Sequence, residues 1–210
     1  SMGIQHKIGA DIMFAFDELT TLMNTRGYQE RSVERTFRWA QRCVAEHRRL
    51  TESRLGKPYQ ALYGVVQGAN YEDLRRRAAS QIASLDFDGV GIGGAMEKRI
   101  IGDICAWICD EMPENRPRHV LGIAAVDDIF ACVENGGDTF DCVAPARCGR
   151  NGAIFTRDGR YNVKRAEFKT DFGPLEEGCD CYTCQHYSRA YVDHLLRARE
   201  FNGFTLATIH

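Results

Sequence analysis

Long apolar runs are absent from this 210-residue sequence, and no stretch approaches the length of a membrane-spanning helix. Such a helix needs roughly 20 consecutive apolar residues. No secretory signal peptide is recognisable either. With 44% hydrophobic and 27% charged residues, the composition predicts a globular domain with a sizeable core and no membrane partner.

A disulfide framework and a strong excess of one charge are also missing. The nine cysteines are an odd number, and most of them lie in apolar segments. This usage predicts reduced thiols and therefore a cytoplasmic protein. The net charge of −2 neither indicates nor excludes a nucleic-acid partner.

Charge is unevenly distributed along the chain. Between residues 147 and 169, seven basic side chains accompany two acidic ones, so this segment is basic while the rest of the chain is acidic. A basic patch on an acidic body is typical of polyanion binding. A solvated charged loop is an equally good interpretation of the charges alone.

Short apolar runs alternate with amphipathic segments. We predict strands at residues 11–17, 62–68, 89–94, 118–124 and 139–145, and helices at 32–46, 71–84, 98–111, 127–134 and about 183–200. Ser32 and Asp127 are the predicted starts of two helices. The alternation indicates a parallel α/β sheet. With about five β-α units, a doubly wound open sheet is the safer choice on this pattern, and part of a (β/α)₈ barrel is the alternative.

A polar residue or a glycine lies at or near the C-terminal end of each predicted strand: Asp17, Gln67, Gly94, Gly122 and Asp141. In both architectures, ligands bind at the carboxyl ends of parallel strands. Five strands that contribute to one site suit a closed barrel better than an open sheet, whose crevice uses mainly two strands.

Three of these positions have side chains suited to chemistry or ligand binding. Asp141 ends an apolar strand, so it is either a structural cap or ion-pair partner, or a nucleophile or base. Asp17 adjoins Glu18, and adjacent strand residues point to opposite faces, so we assign only Asp17 to the site, with helix capping as the alternative. Gln67, with donor and acceptor atoms, and the glycine pair at 93–94 suit a planar ligand.

Cys179, Cys181 and Cys184 form a C-x-C-x₂-C cluster, and His210 follows 26 residues after Cys184. Three thiolates and one imidazole complete a closed tetrahedral zinc set, which is structural because no position is left for water or substrate. His186 and His194 are rival fourth ligands. Ordinary reduced cysteines are the alternative interpretation.

Together these residues resemble the tRNA-guanine transglycosylases of queuosine modification. The resemblance extends over nearly the whole chain and rests on the motifs ADIMFAFDEL, YGVVQG, GIGG, FDCVAPARCGRNG, KTDFGPLEEGCDCYTCQHYSRAY and TIH. It implies a (β/α)₈ TIM barrel with a zinc-binding insertion. This chain would then hold about the last five β-α units (residues 1–170) and the zinc-binding subdomain (residues 171–210).

The resemblance also implies an activity and the residues that perform it. The activity is a pentosyltransferase reaction that replaces the wobble guanine of tRNAs with a GUN anticodon by a 7-deazaguanine, preQ1 or queuine, through a covalent aspartyl–tRNA intermediate. Asp141 matches the nucleophile. The residues that match the base-binding set are Asp17, Gln67 and Gly94. Arg147 and Arg150 match side chains that hold the anticodon loop. The matching ligands of structural Zn²⁺ are Cys179, Cys181, Cys184 and His210.

The sequence departs from the family pattern in four ways. The family's longer N-terminal part, with three β-α units and a second catalytic aspartate, has no counterpart here, and the chain stops at His210 where the family continues. Leu19 replaces a cysteine common in bacterial members, and the loop with Glu97 is short. We therefore expect the chain to be a fragment with little turnover by itself, whose full-length parent is a cytoplasmic homodimer. A non-catalytic tRNA-binding subunit and an unrelated zinc-stabilised α/β binding module are the alternatives.

Overall fold

The computed structural model describes residues 1–54 and 56–210, which form two compact units, Ser1–Asp141 and Cys142–His210. The predicted division between residues 170 and 171 follows the family's zinc-binding insertion rather than compactness, and it stays a prediction.

The first unit is built on a five-stranded parallel sheet. Its strands are β1 (Ile12–Phe14), β2 (Ala61–Val66), β3 (Gly89–Ile92), β4 (Arg118–Leu121) and β5 (Thr139–Asp141). Each strand pairs with its predecessor, in the order β1-β2-β3-β4-β5. In a doubly wound sheet the spatial order of the strands reverses at a switch point, whereas in a barrel each new strand is added beside the preceding one. The order therefore confirms a partial (β/α) barrel with five strands in the described part of the chain.

Helices connect these strands, as parallel pairing requires. They are α2 (Arg26–Glu52), α3 (Glu72–Ala83), α4 (Ile101–Cys109, after a 3₁₀ turn at Lys98–Ile100) and α5 (Val126–Glu134), while α1 (Met2–Ile8) precedes β1. The predicted helix start at Ser32 is wrong: Thr25 caps α2, and its side chain accepts a hydrogen bond from the Tyr28 amide. Ser32 is buried within α2 and donates to the Glu18 carbonyl oxygen at 3.1 Å.

The core of the first unit lies between the sheet and the helices α2, α3 and α4. Leu62, Val66, Val90 and Ile92 of the central strands are fully buried, as expected of strands covered on both faces. Gly64 allows the close approach of the helix layer, because a Cβ atom there would lie 2.6 Å from Ile82.

The second unit has its own small core, which includes Ile154, Leu175, Val192 and Leu206. Its elements are α6 (Ala144–Arg150), the antiparallel hairpin β6 (Ala153–Thr156) and β7 (Gly159–Asn162), a 3₁₀ turn at Ala166–Thr170, α7 (Tyr182–His186), α8 (Arg189–Ala198) and α9 (Phe201–Ile209). The sequence did not predict the hairpin or α9.

The single helix predicted at about 183–200 is wrong. Tyr187 leaves the helical conformation and ends α7, and Ser188 caps α8 by accepting a hydrogen bond from the Tyr191 amide. Across the described residues of both units, no helix has the length and apolar character needed to cross a membrane.

Candidate active site and metal centre

The carboxyl ends of the five parallel strands lie along one edge of the sheet. Asp17 follows β1 by three residues, Gln67 follows β2 directly, Gly94 lies two residues after β3, and Asp141 is the last residue of β5. Gly122, the fifth residue predicted from a strand end, follows β4 directly. The structure therefore places all five residues along the same edge of the first unit.

Asp17 and Gln67 form a direct pair across the ends of β1 and β2. Gln67 Nε2 donates to Asp17 Oδ2 at 2.5 Å, and Gln67 is buried. Burial raises the pKa of Asp17 above its ordinary value, although the hydrogen bond from Gln67 acts in the opposite direction. Glu18 instead contacts Arg35 and Tyr28. The pair thus combines a half-buried carboxylate with an amide.

Gly94 lies directly beside the side-chain amide of Gln67. Its φ of +88° lies in the left-handed region, and a Cβ atom there would lie 2.4 Å from Gln67 Oε1. That oxygen is buried and forms no hydrogen bond in the described part of the chain. Gly94 is therefore required both for its backbone conformation and for the space beside Gln67.

Arg75 joins the ends of β2 and β3 through hydrogen bonds, a role that the sequence did not predict. Its guanidinium is fully buried and donates to the carbonyl oxygens of Val66 (3.0 Å), Gly93 (2.6 Å) and Ala69 (2.8 Å). Burial lowers the pKa of Arg75. Arg75 lies in a run of three arginines, and only its helical spacing to the buried Ala79 and Ile82 could have revealed it.

Asp141 accepts hydrogen bonds from residues on or next to β4. Its Oδ1 accepts hydrogen bonds from His119 Nε2 at 3.0 Å and from the Gly122 amide at 3.3 Å. The Asp141 side chain remains 59% exposed, whereas the His119 side chain is 16% exposed. The sequence did not predict a role for His119, because the residue lies within an apolar predicted strand and belongs to no recognisable motif. Within the described residues, Asp141 forms no hydrogen bond with Asp17, Gln67 or Gly94.

The second unit contains a cluster of four donor atoms. One ligand atom from each predicted metal ligand lies within 4.8 Å of the others, and the four residues are Cys179, Cys181, Cys184 and His210. The His210 Nδ1 atom lies 3.7, 3.5 and 3.2 Å from the three sulfur atoms in chain order. The geometry therefore fits a tetrahedral metal centre.

A hydrogen bond at Nε2, the ring nitrogen that faces away from the sulfur atoms, orients the His210 ring. The Nε2 atom lies 3.0 Å from the carbonyl oxygen of Phe155, which can only accept, so Nε2 carries the proton and Nδ1 presents a lone pair to the sulfur atoms. The rival ligands His186 and His194 are exposed and lie outside the cluster. The structure thus selects His210 among the three histidines.

Arg147 and Arg150 lie three residues apart on α6 and are both exposed. Residues at this spacing share one side of a helix. Among the described residues neither arginine forms an ion pair, so both guanidinium groups are available to an anionic ligand.

Comparison with known proteins identifies the family of this chain. The family model described as queuine tRNA-ribosyltransferase matches residues 1–210. The queuine tRNA-ribosyltransferase of Staphylococcus haemolyticus (strain JCSC1435) is 43% identical over 213 residues, which cover 100% of this chain and 54% of that protein. The corresponding enzyme of Bacillus subtilis (strain 168) is 44% identical, with the same two coverages.

A putative queuine tRNA-ribosyltransferase of Archaeoglobus fulgidus is 44% identical over 221 residues, which cover the whole chain and 53% of that protein. The chain thus spans about half the length of the curated relatives it matches. Since the family model covers every residue, the chain belongs to the queuine tRNA-ribosyltransferase family.

Proposed function

We propose that the complete protein is a tRNA-guanine transglycosylase that replaces the wobble guanine of tRNAs with a GUN anticodon by a 7-deazaguanine. The single observation that carries this proposal is the arrangement of Asp17, Gln67 and Asp141 along one edge of a parallel sheet in a chain of this family. The nine free cysteines support a cytoplasmic location.

The base-binding role rests on the Asp17–Gln67 pair. A guanine-like ring presents donors on one edge and acceptors on another. The Asp17 carboxylate accepts hydrogen bonds, while the Gln67 amide has a donor and a buried acceptor without a partner in the described residues. Gly94 leaves room for the Gln67 side chain and lets backbone polar groups approach the base closely. Whether preQ1 or queuine enters is decided by competition between the two bases in an exchange assay.

Asp141 is the nucleophile of the proposed reaction. The wobble nucleotide must leave the anticodon stack before C1′ can be reached. An Asp141 oxygen then forms a bond to C1′, the bond from C1′ to guanine breaks, and its electron pair leaves with guanine. The ring nitrogen of the incoming base then forms a bond to C1′ from the face that guanine left, and the ester bond breaks with its electron pair returning to Asp141. The incoming base loses one proton and the departed guanine gains one, and the two inversions retain the sugar configuration.

Arg147 and Arg150 bind phosphates of the same tRNA and fix its position without reading sequence. The metal bound by Cys179, Cys181, Cys184 and His210 is Zn²⁺, since three sulfur donors and one imidazole suit that ion. It supplies folding free energy and no open coordination position. The complete protein is proposed to form a homodimer.

Trapping of the covalent intermediate tests the proposal. The full-length protein is incubated with tRNA, quenched under denaturing conditions and examined for a protein–RNA adduct. We expect an adduct in the wild type and none in Asp141→Asn, with metal content and tRNA binding unchanged. An adduct that persists in Asp141→Asn or maps to Asp17 would contradict the assignment.

The same experiment separates the alternatives. Binding of tRNA without an adduct would identify a non-catalytic subunit, whereas the family match over the whole chain already excludes an unrelated binding module. For the 210-residue chain by itself we predict little or no turnover, and efficient exchange by this chain would contradict that expectation.

A further inference from the structure

Both donors to the Asp141 carboxylate converge on one of its oxygen atoms. His119 Nε2 and the Gly122 amide both donate to Oδ1, at 3.0 and 3.3 Å. Oδ2 forms no hydrogen bond in the part of the chain that the structure describes. The two carboxylate oxygens are therefore chemically different before any substrate binds.

The neighbours of His119 determine which ring nitrogen carries its proton. A carboxylate can only accept, so Nε2 must be the donor to Asp141. The other nitrogen, Nδ1, lies 2.8 Å from the Thr139 hydroxyl, which faces it in the register between β4 and β5. In a neutral imidazole, Nδ1 is then the acceptor and Thr139 the donor.

Packing holds the ring in this position. The His119 ring contacts Phe14, with centroids 5.5 Å apart and planes inclined at 51°. With one nitrogen bonded on β5 through Thr139 and the other through Asp141, the ring has little rotational freedom. His119 can therefore fix the direction of the Asp141 side chain, which ends a strand and is largely exposed.

We propose that His119, held by Thr139, is a positioning residue that occupies Oδ1 of Asp141 and leaves Oδ2 as the attacking atom. This inference rests on the proposed function of Asp141 as the nucleophile. Oδ2 bonds to C1′, the electron pair of the broken bond leaves with guanine, and Oδ1 becomes the carbonyl oxygen of the ester. His119 keeps its proton throughout and continues to donate to Oδ1.

Matched substitutions in the full-length protein test this role. His119→Phe keeps the ring but removes both hydrogen bonds, His119→Gln restores an N–H donor, and Thr139→Val removes only the hydroxyl. We expect His119→Phe to slow adduct formation at saturating tRNA by roughly 10- to 100-fold, as loss of a hydrogen bond to a charged group does. KM for tRNA should not change, because the bond acts on the reacting group.

His119→Gln should recover most of the rate, and Thr139→Val should lose less than His119→Phe. His194→Phe, at an exposed position of α8, is the control and should react like the wild type. Thermal unfolding of each variant identifies any that fail to fold.

A second measurement needs neither a variant nor turnover. In protein labelled with ¹⁵N-histidine, the ring nitrogen shifts of His119 should report a proton on Nε2, the nitrogen that faces Asp141. A ring protonated at Nδ1 alone would overturn the inference. So would a wild-type adduct at Asp141 that forms equally fast in a folded His119→Phe variant. Absence of the wild-type adduct would instead overturn the proposed function and leave the ring measurement to decide how Asp141 is held.

Discussion

The Gln67 amide donates to the Asp17 carboxylate at 2.5 Å and joins the ends of two neighbouring strands. This bond orients both side chains before a ligand arrives, and its acceptor is a half-buried carboxylate. Such preorganisation lowers the cost of ordering the site on binding.

Asp17 makes stability depend on pH. Burial raises its pKa above the ordinary value of 3.8, so the folded state binds the proton more tightly than the unfolded state. This contribution to stability is present below the ordinary pKa and is lost as pH rises through the raised pKa. Asp17→Asn keeps an acceptor for Gln67 without the charge. We expect a higher melting temperature than the wild type at about pH 7, and a difference that vanishes near pH 3.

The control for this prediction is Asp11→Asn, which alters an exposed carboxylate one residue before β1. A melting curve for Asp17→Asn that parallels the wild type across the whole pH range would contradict the prediction. Weaker binding of guanine by the same variant would support the base-binding role.

Gly94→Ala should damage the base-binding set directly. A Cβ atom at this position requires a strained φ and displaces Gln67 Oε1, so we expect a loss of about 1–3 kcal/mol in the free energy of unfolding together with loss of guanine affinity. Gly9→Ala is the control, since Gly9 has a similar φ of +83° but open space around its Cβ position. Equal effects of the two substitutions on stability and on calorimetric guanine binding would refute the close-contact argument.

Cys181→Ala should remove the metal and destabilise the Cys142–His210 unit. Loss of a structural metal ligand is among the few changes that cost on the order of 3–5 kcal/mol. Metal content by mass spectrometry and thermal unfolding provide the measurements. Cys148→Ala and His194→Ala alter residues of the same types outside the cluster and should retain stoichiometric metal. Absence of zinc from the wild type would exclude the proposed ion.

Arg150→Ala should weaken tRNA binding and flatten its salt dependence. Each lost phosphate contact lowers the slope of log affinity against log salt by roughly one. Arg38→Ala removes an exposed arginine of α2 and should leave the slope unchanged. Identical titrations of Arg150→Ala and the wild type would show that Arg150 does not contact tRNA.

Residue type and spacing predicted those site residues that lie close together in the sequence or that stand out from the residues next to them. The three cysteines lie within six residues, and Asp17, Gln67 and Asp141 stand out as polar groups at the ends of apolar runs. The residues alone left His186 and His194 as rivals of His210, because the choice depends on the path of α9. That helix brings His210 to the three cysteines. The alternation of strands and helices alone favoured an open sheet, because strand order is a long-range property. The polar strand ends and the family resemblance shifted the prediction to the barrel, which the strand order confirms.

Arg75 and His119 show what remained hidden. Arg75 differs from Arg76 only in facing the strand ends, and Arg76 pairs with surface acids. His119 owes its role to the register that places it opposite Thr139 and near Asp141. Such roles arise from contacts between distant segments, which single-sequence patterns do not encode.

When Cys184 and His210 bind one ion, the 26-residue separation between them becomes a closed ring that contains α8 and α9. A crosslink over such a length reduces the conformational entropy of the unfolded chain, by about 3–4 kcal/mol in the polymer model used for disulfides. In a reducing compartment, where disulfides do not persist, the metal would provide the crosslink that a disulfide bond provides in a secreted protein.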